Sequence, residues 1–98
     1  MNNNDAQCCS EEMLDKYAQK LKVCGHPLRL KLLCLIERNS SCVSDLWQCL
    51  NQPQPVISQH LAVLKDKNIV SSITEGNKRI YSIVDPFVKS LVQSFDNE

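Results

Sequence analysis

Residues 53–68 carry the clearest periodicity in the chain. Ile57, Leu61 and Leu64 recur at i, i+4 and i+7, while Gln54, Ser58, Gln59, Ala62 and Lys65 fall on the opposite side. Pro55 suits a first helical turn, where its missing N–H is not needed, and Asn68 suits the left-handed residue that ends a helix. The pattern predicts an amphipathic helix of about three turns. One face anchors it, and the other offers amides and hydroxyls with no carboxylate before Asp66.

The flanking segments give this helix a context. Upstream, residues 44–50 read as a short helix with Ser44 as cap, Asp45 in the first turn, and Leu46 and Leu50 on one face. Asn51 to Gln54 then form a tight polar turn. Downstream, the β-rich runs 69–73 and 79–84 flank a five-residue connection, 74–78, in which Gly76 and Asn77 tolerate positive φ. Two helices joined by a turn and followed by a hairpin predict a mainly α fold with a small β-hairpin, a winged helix-turn-helix.

The remaining elements supply scaffold. Ser10 can cap a helix opened by Glu11 and Glu12, with Leu14, Tyr17, Ala18 and Leu21 at helical spacing. After Gly25-His26-Pro27, the apolar residues Leu28, Leu30, Leu32, Leu33, Leu35 and Ile36 are too many for one stripe, so this helix should be central; Arg29, Lys31 and Arg38 are expected as solvated charges. Asp85 and Pro86 can open a last helix with Val88, Leu91, Val92 and Phe95 along one side. Residues 1–9 show no periodicity and read as a mobile arm, which leaves residues 10–98 as one domain.

Ninety-eight residues with 43% apolar and 22% charged content suit a single small globular domain, for which a dimer interface would add useful burial. No apolar run approaches the roughly twenty residues of a membrane span, and the Asn-rich start lacks a signal peptide's features, so a cytoplasmic location is expected. Net charge is zero, but residues 52–84 carry +2, through Lys65, Lys67, Lys78 and Arg79, whereas residues 85–98 carry −2. Such a slight basic footprint predicts salt-sensitive nucleic-acid contact, and leaves open a module for protein contact alone. Paired carboxylates, a nucleophile triad and a phosphate loop are all missing, so an enzyme is not expected.

Three runs carry a resemblance: Gly25-His26-Pro27-Leu28-Arg29-Leu30-Lys31-Leu32-Leu33, the helix from Gln54 to Asp66, and Glu75-Gly76-Asn77-Lys78-Arg79-Ile80-Tyr81. With the order of elements, residues 10–95 resemble the ArsR/SmtB family of dimeric bacterial repressors. The resemblance implies dimerisation through the first and last helices and two recognition helices set on a palindromic double-stranded operator. The expected contacts are Gln54, Val56, Ser58, Gln59 and Lys65 on the recognition helix, with Lys78 and Arg79 on the wing. Gln pairs well with adenine, and Ser serves several base edges.

Six cysteines, at positions 8, 9, 24, 34, 42 and 49, form no Cys-x-x-Cys pair, and a cytosolic setting keeps them reduced. Cys8 and Cys9 on a flexible arm, with Cys42 just before a helix N-terminus, would supply three sulfurs. Such a set suits As(III) or Sb(III), or another thiophilic ion, acting as an inducer, with no cofactor needed for folding. Some arsenic sensors of the family carry a comparable arrangement. Others carry Cys-Val-Cys-Asp-Leu, where this chain has Cys42-Val43-Ser44-Asp45-Leu46, and the last helix has no His for a family zinc or nickel site. The competing expectation is sensing of reactive sulfur or oxidants through Cys34, where such sensors of the family keep a redox cysteine, with Cys24, Cys42 or an arm thiol as partner. Otherwise Cys24, Cys34 and Cys49 are small buried hydrophobes. His26 is expected at a helix boundary, His60 in a partly exposed structural role, and Trp47 as the anchor of the short helix.

Overall fold

The structure, a computed structural model, describes residues 10–39 and 43–97, apart from the side chains of Asn39, Val43, Ser44, Asp45, Trp47, Asp96 and Asn97. The expected arm of residues 1–9 with Cys8 and Cys9, together with Cys42 and the Trp47 side chain, lies outside the described residues. The elements are α1 (Glu11–Cys24), α2 (Pro27–Asn39), α3 (Val43–Leu50), α4 (Gln54–Asp66), β1 (Val70–Glu75), β2 (Lys78–Ile83), α5 (Pro86–Gln93) and a closing 3₁₀ turn, Ser94–Asn97. No described helix is long and apolar enough to cross a membrane.

α1 begins where Ser10 Oγ accepts the Met13 N–H at 3.1 Å. α2 begins where His26 Nδ1 accepts the Leu28 N–H at 3.1 Å, which fixes His26 as a boundary residue. Leu32, Leu33 and Ile36 of α2 are fully buried, and α2 packs against α1, α3, α4, α5 and β2. Leu28, Leu30 and Leu35 are only half-buried, so the apolar excess of this helix wraps the core rather than filling it. α3 starts at Val43, one residue earlier than expected, which puts Ser44 inside the first turn instead of at the cap.

The hairpin is tighter than its sequence suggests. Thr74, Glu75 and Lys78 belong to the strands, and only Gly76 and Asn77 form the turn, with register running from Val70↔Ile83 to Glu75↔Lys78. Positive φ is taken by Gly76, at +61°, and not by Asn77, as a II′-type connection requires. Val70, Tyr81 and Ile83 are buried at the base, whereas the tip is wholly exposed, so the hairpin projects as a wing.

Asp85 caps α5, its Oδ1 accepting the Val88 N–H at 3.0 Å, and its Oδ2 meets Lys20 Nζ of α1 at 2.6 Å. Beside this pair the Tyr17 and Phe87 rings stack, tilted, with centroids 4.6 Å apart. Met13, Leu14 and Leu21, one turn of α1 to either side of Tyr17, stay exposed within the single chain.

Candidate nucleic-acid interface

α4 opens without a side-chain cap. Pro53 is extended, its carbonyl accepts from the N–H groups of Val56 and Ile57, and Pro55, which has no N–H, sits in the first turn, so few backbone donors there call for a capping side chain. The helix therefore starts at Gln54, which sequence placed in the preceding turn. Its end is a Schellman motif: Asn68 adopts φ +60°, its N–H meets the Lys65 carbonyl at 3.0 Å, and the Ile69 N–H meets the Leu64 carbonyl at 2.9 Å. Leu64 and Ile69 are both fully buried, which locks the exit of the helix onto the core.

Between these ends the two faces separate cleanly. Ile57, Leu61 and Leu64 are at most 1% exposed, while Gln54, Ser58, Gln59, Ala62 and Lys65 are all exposed. Val56 is half-buried, so less of it is available for contact than its neighbours offer. The N-terminal half of α4, Gln54 to His60, bears no carboxylate, and its helix dipole favours an approaching phosphate. Lys65 reaches sideways, its Nζ donating to Ser72 Oγ on β1 at 3.0 Å, and so links helix to wing. Lys78 and Arg79 are exposed near the wing tip, opposite Glu75 and Thr74 in the strand register.

One group behind this face is unlike its sequence expectation. Arg29 is half-buried instead of solvated; its Nε donates to His60 Nδ1 at 3.2 Å and its Nη1 to the Val23 carbonyl at 3.2 Å. His26 and His60 lie far apart in the chain, yet their rings stack with centroids 4.5 Å apart. Burial lowers the His60 pKa from its usual value, and the neighbouring His26 and Arg29 lower it further. A neutral His60 therefore accepts from Arg29 and ties the recognition helix to the start of α2. Helical spacing carries no signal for this contact, because its partners sit 31 residues apart.

The described thiols divide by exposure. Cys24 is buried, and burial pushes its pKa up, aided by the Asp85 carboxylate and opposed by Arg29. Cys34 is half-buried, and Cys49, expected in the core, is exposed on α3 because that short helix turns only the Leu46 side inward. Among the described residues, no group of three or more His, Cys, Asp or Glu is placed to hold a metal ion.

A helix-turn-helix, a polar and exposed second helix, and a basic hairpin together define a winged helix DNA-binding domain. The model of bacterial regulatory proteins of the arsR family matches residues 26–72. An uncharacterized HTH-type transcriptional regulator of Methanocaldococcus jannaschii is 41% identical over 86 residues, covering 87% of this chain and 97% of that protein. The arsenical resistance operon repressor of Bacillus subtilis (strain 168) is 34% identical over 82 residues, covering 83% of this chain and 78% of that one. Among solved structures, the transcriptional regulator HlyU from Vibrio vulnificus CMCP6 superposes with a TM-score of 0.85 at 27% identity, over 99% of this chain and 97% of that one. The AntR antimony-specific transcriptional repressor gives 0.78 at 28%, over 88% and 78%. The chain belongs to the ArsR family of transcriptional repressors; its relatives are DNA-binding regulators, not enzymes.

Proposed function

We propose that this protein is a homodimeric repressor that reads a palindromic operator through Gln54, Val56, Ser58, Gln59 and Lys65, with Lys78 and Arg79 of the wing on the phosphates. The observation that carries this reading is the division of α4 into a buried apolar face and an exposed polar face that bears no carboxylate before Asp66. Met13, Leu14 and Leu21 give a second copy an apolar surface to cover. Release from the operator follows when As(III) or Sb(III) gathers the thiolates of Cys8, Cys9 and Cys42. The chemistry of the relatives supports that inducer class, since one is an arsenical resistance operon repressor and another is antimony-specific.

The alternative, a redox pair of Cys34 and Cys24, is disfavoured by the burial of Cys24, because a thiol with raised pKa is a poor nucleophile at neutral pH. Operator binding, measured by anisotropy on DNA selected from a random library, tests both halves. Ser58→Ala and Gln59→Ala should each weaken binding by roughly 1–3 kcal/mol, and arsenite should release the wild type but not a Cys8→Ser/Cys9→Ser variant. Wild-type affinity in both alanine variants would remove the reading face from α4. Release by a persulfide donor with the arm variant still responsive would move the sensor to Cys34.

A further inference from the structure

Five of the eleven Lys and Arg residues meet at one groove behind the recognition helix. Lys16, Lys20 and Lys22 of α1, Arg29 of α2 and Lys67 just past α4 line a cavity of about 610 Å³, with Val23 and Ile69 as its apolar part and no Asp or Glu in its lining. The chain as a whole is electrically neutral, so this clustering is local.

Most of that charge is uncompensated. Lys20 is neutralised by Asp85. Arg29, by contrast, is held by two neutral acceptors, the Val23 carbonyl and His60 Nδ1, so its positive charge remains. Lys16, Lys22 and Lys67 have no side-chain hydrogen bond or ion pair among the described residues. Four cations thus face one groove, and the C-terminal dipole of α4 opposes them with at most about half a charge. The volume falls within the range of roughly 300–1,000 Å³ usual for small-molecule sites.

We propose that this groove is an effector site for a small organic polyanion carrying two or more phosphate or carboxylate groups. The cations engage its charged groups, and Val23 and Ile69 face its carbon skeleton. A bound anion would bridge α1 to Arg29 and Lys67. Arg29 holds His60 of α4, and Lys67 directly follows α4, so both bridges end on the recognition helix. The groove is not an extension of the operator-reading face, because Lys67 is turned roughly 200° around the helix axis from Lys65, the last contact of that face. Anion and operator are therefore coupled, each changing the affinity of the other by the same factor. This effector role rests on operator binding by α4, whereas the anion site itself does not.

Calorimetry on the full chain at physiological ionic strength, with pyrophosphate and citrate as separate probes, tests the site. Saturable binding of at least one probe is expected, weakened by about tenfold or more in Lys22→Gln/Lys67→Gln, and little changed in Lys31→Gln/Lys89→Gln, which removes the same charge elsewhere. Which probe binds distinguishes phosphate from carboxylate recognition. Operator affinity with and without saturating probe should then differ by about 5- to 150-fold. The site is overturned if neither probe saturates, if both variants weaken binding equally, or if Lys22→Gln/Lys67→Gln loses operator affinity without any anion, which would make the groove a DNA phosphate contact. Probe binding with unaltered operator affinity overturns the effector role. A probe failure with operator binding intact leaves the repressor reading untouched.

Discussion

Lys20 Nζ of the first helix lies 2.6 Å from Asp85 Oδ2 at the cap of the last helix, so one carboxylate both starts α5 and fastens it to α1. Asp85 is only 7% exposed, which makes its partners matter. Burial raises its pKa, but hydrogen bonds from Lys20 and the Val88 N–H, the Lys20 charge and the Phe87 N–H together hold it below the usual value. A carboxylate depressed in this way stabilises the fold above its unfolded pKa, about 3.9, and that contribution is lost as pH falls through the folded value. Lys20→Met leaves burial less opposed. Urea unfolding should show a loss of about 1–3 kcal/mol at pH 7, and the acid unfolding midpoint should move to higher pH.

His60 gives the opposite kind of group. Its pKa is lowered by burial, then by His26 and Arg29, so between the folded value and the unfolded one of about 6.5 the unfolded chain binds more protons. Stability should therefore rise with pH through that window, be complete above it, and fall away on acidification. Protonation also removes the acceptor that Arg29 uses. Thermal melts of the wild type between pH 5 and 7.5 should show this slope, and His60→Gln should flatten it. An unchanged slope in the variant would assign the titration to another group.

Sequence made the helix-turn-helix and wing legible because their signals are local. Ser10, Pro55, Asn68 and Asp85 each act within a turn of themselves, and the spacing of Ile57, Leu61 and Leu64 is the period of the helix they occupy. Arg29 departs from its expected solvated state for the complementary reason. A charge on a buried helix reads as solvated unless its acceptors are known, and those come from the end of α1 and the middle of α4. Cys49 fails similarly, since a short helix buries little of its circumference and the sequence does not say which part. The Lys20–Asp85 pair joins residues 65 positions apart, beyond the reach of any periodic argument.

Asn68 occupies a left-handed position, φ +60°, that a β-branched residue resists. Asn68→Val should cost about 1–2 kcal/mol in urea unfolding, whereas Asn68→Gly should match or exceed the wild type. Because Ile69 both closes the Schellman motif and accepts from Val84 and Asp85, loosening this point should also raise hydrogen exchange at the base of the wing. Equal stability of the Val variant would mean that the exit turn is not held as described.

The thiols should separate by alkylation. Exposed Cys49 should react with iodoacetamide in native protein well before Cys24, which is buried and has its pKa raised first by that burial. Peptide mass spectrometry over a time course reads this order directly, and urea should abolish it. Rapid labelling of Cys24 in the native state would show that α1 opens from α2, and would restore that residue as a partner for Cys34.

Wing and recognition helix should differ in what their loss does to DNA binding. Lys78 and Arg79 are exposed and charged beside the hairpin turn, and their proposed role is on phosphates. Lys78→Gln and Arg79→Gln should weaken operator and random DNA alike, each removing two phosphate contacts per dimer and so reducing the slope of log affinity against log salt by about 1.8. Gln59→Ala should leave that slope intact and narrow the gap between operator and random DNA instead. If the wing variants change specificity while preserving the salt slope, the hairpin reads bases, and the division of labour between α4 and the wing is reversed.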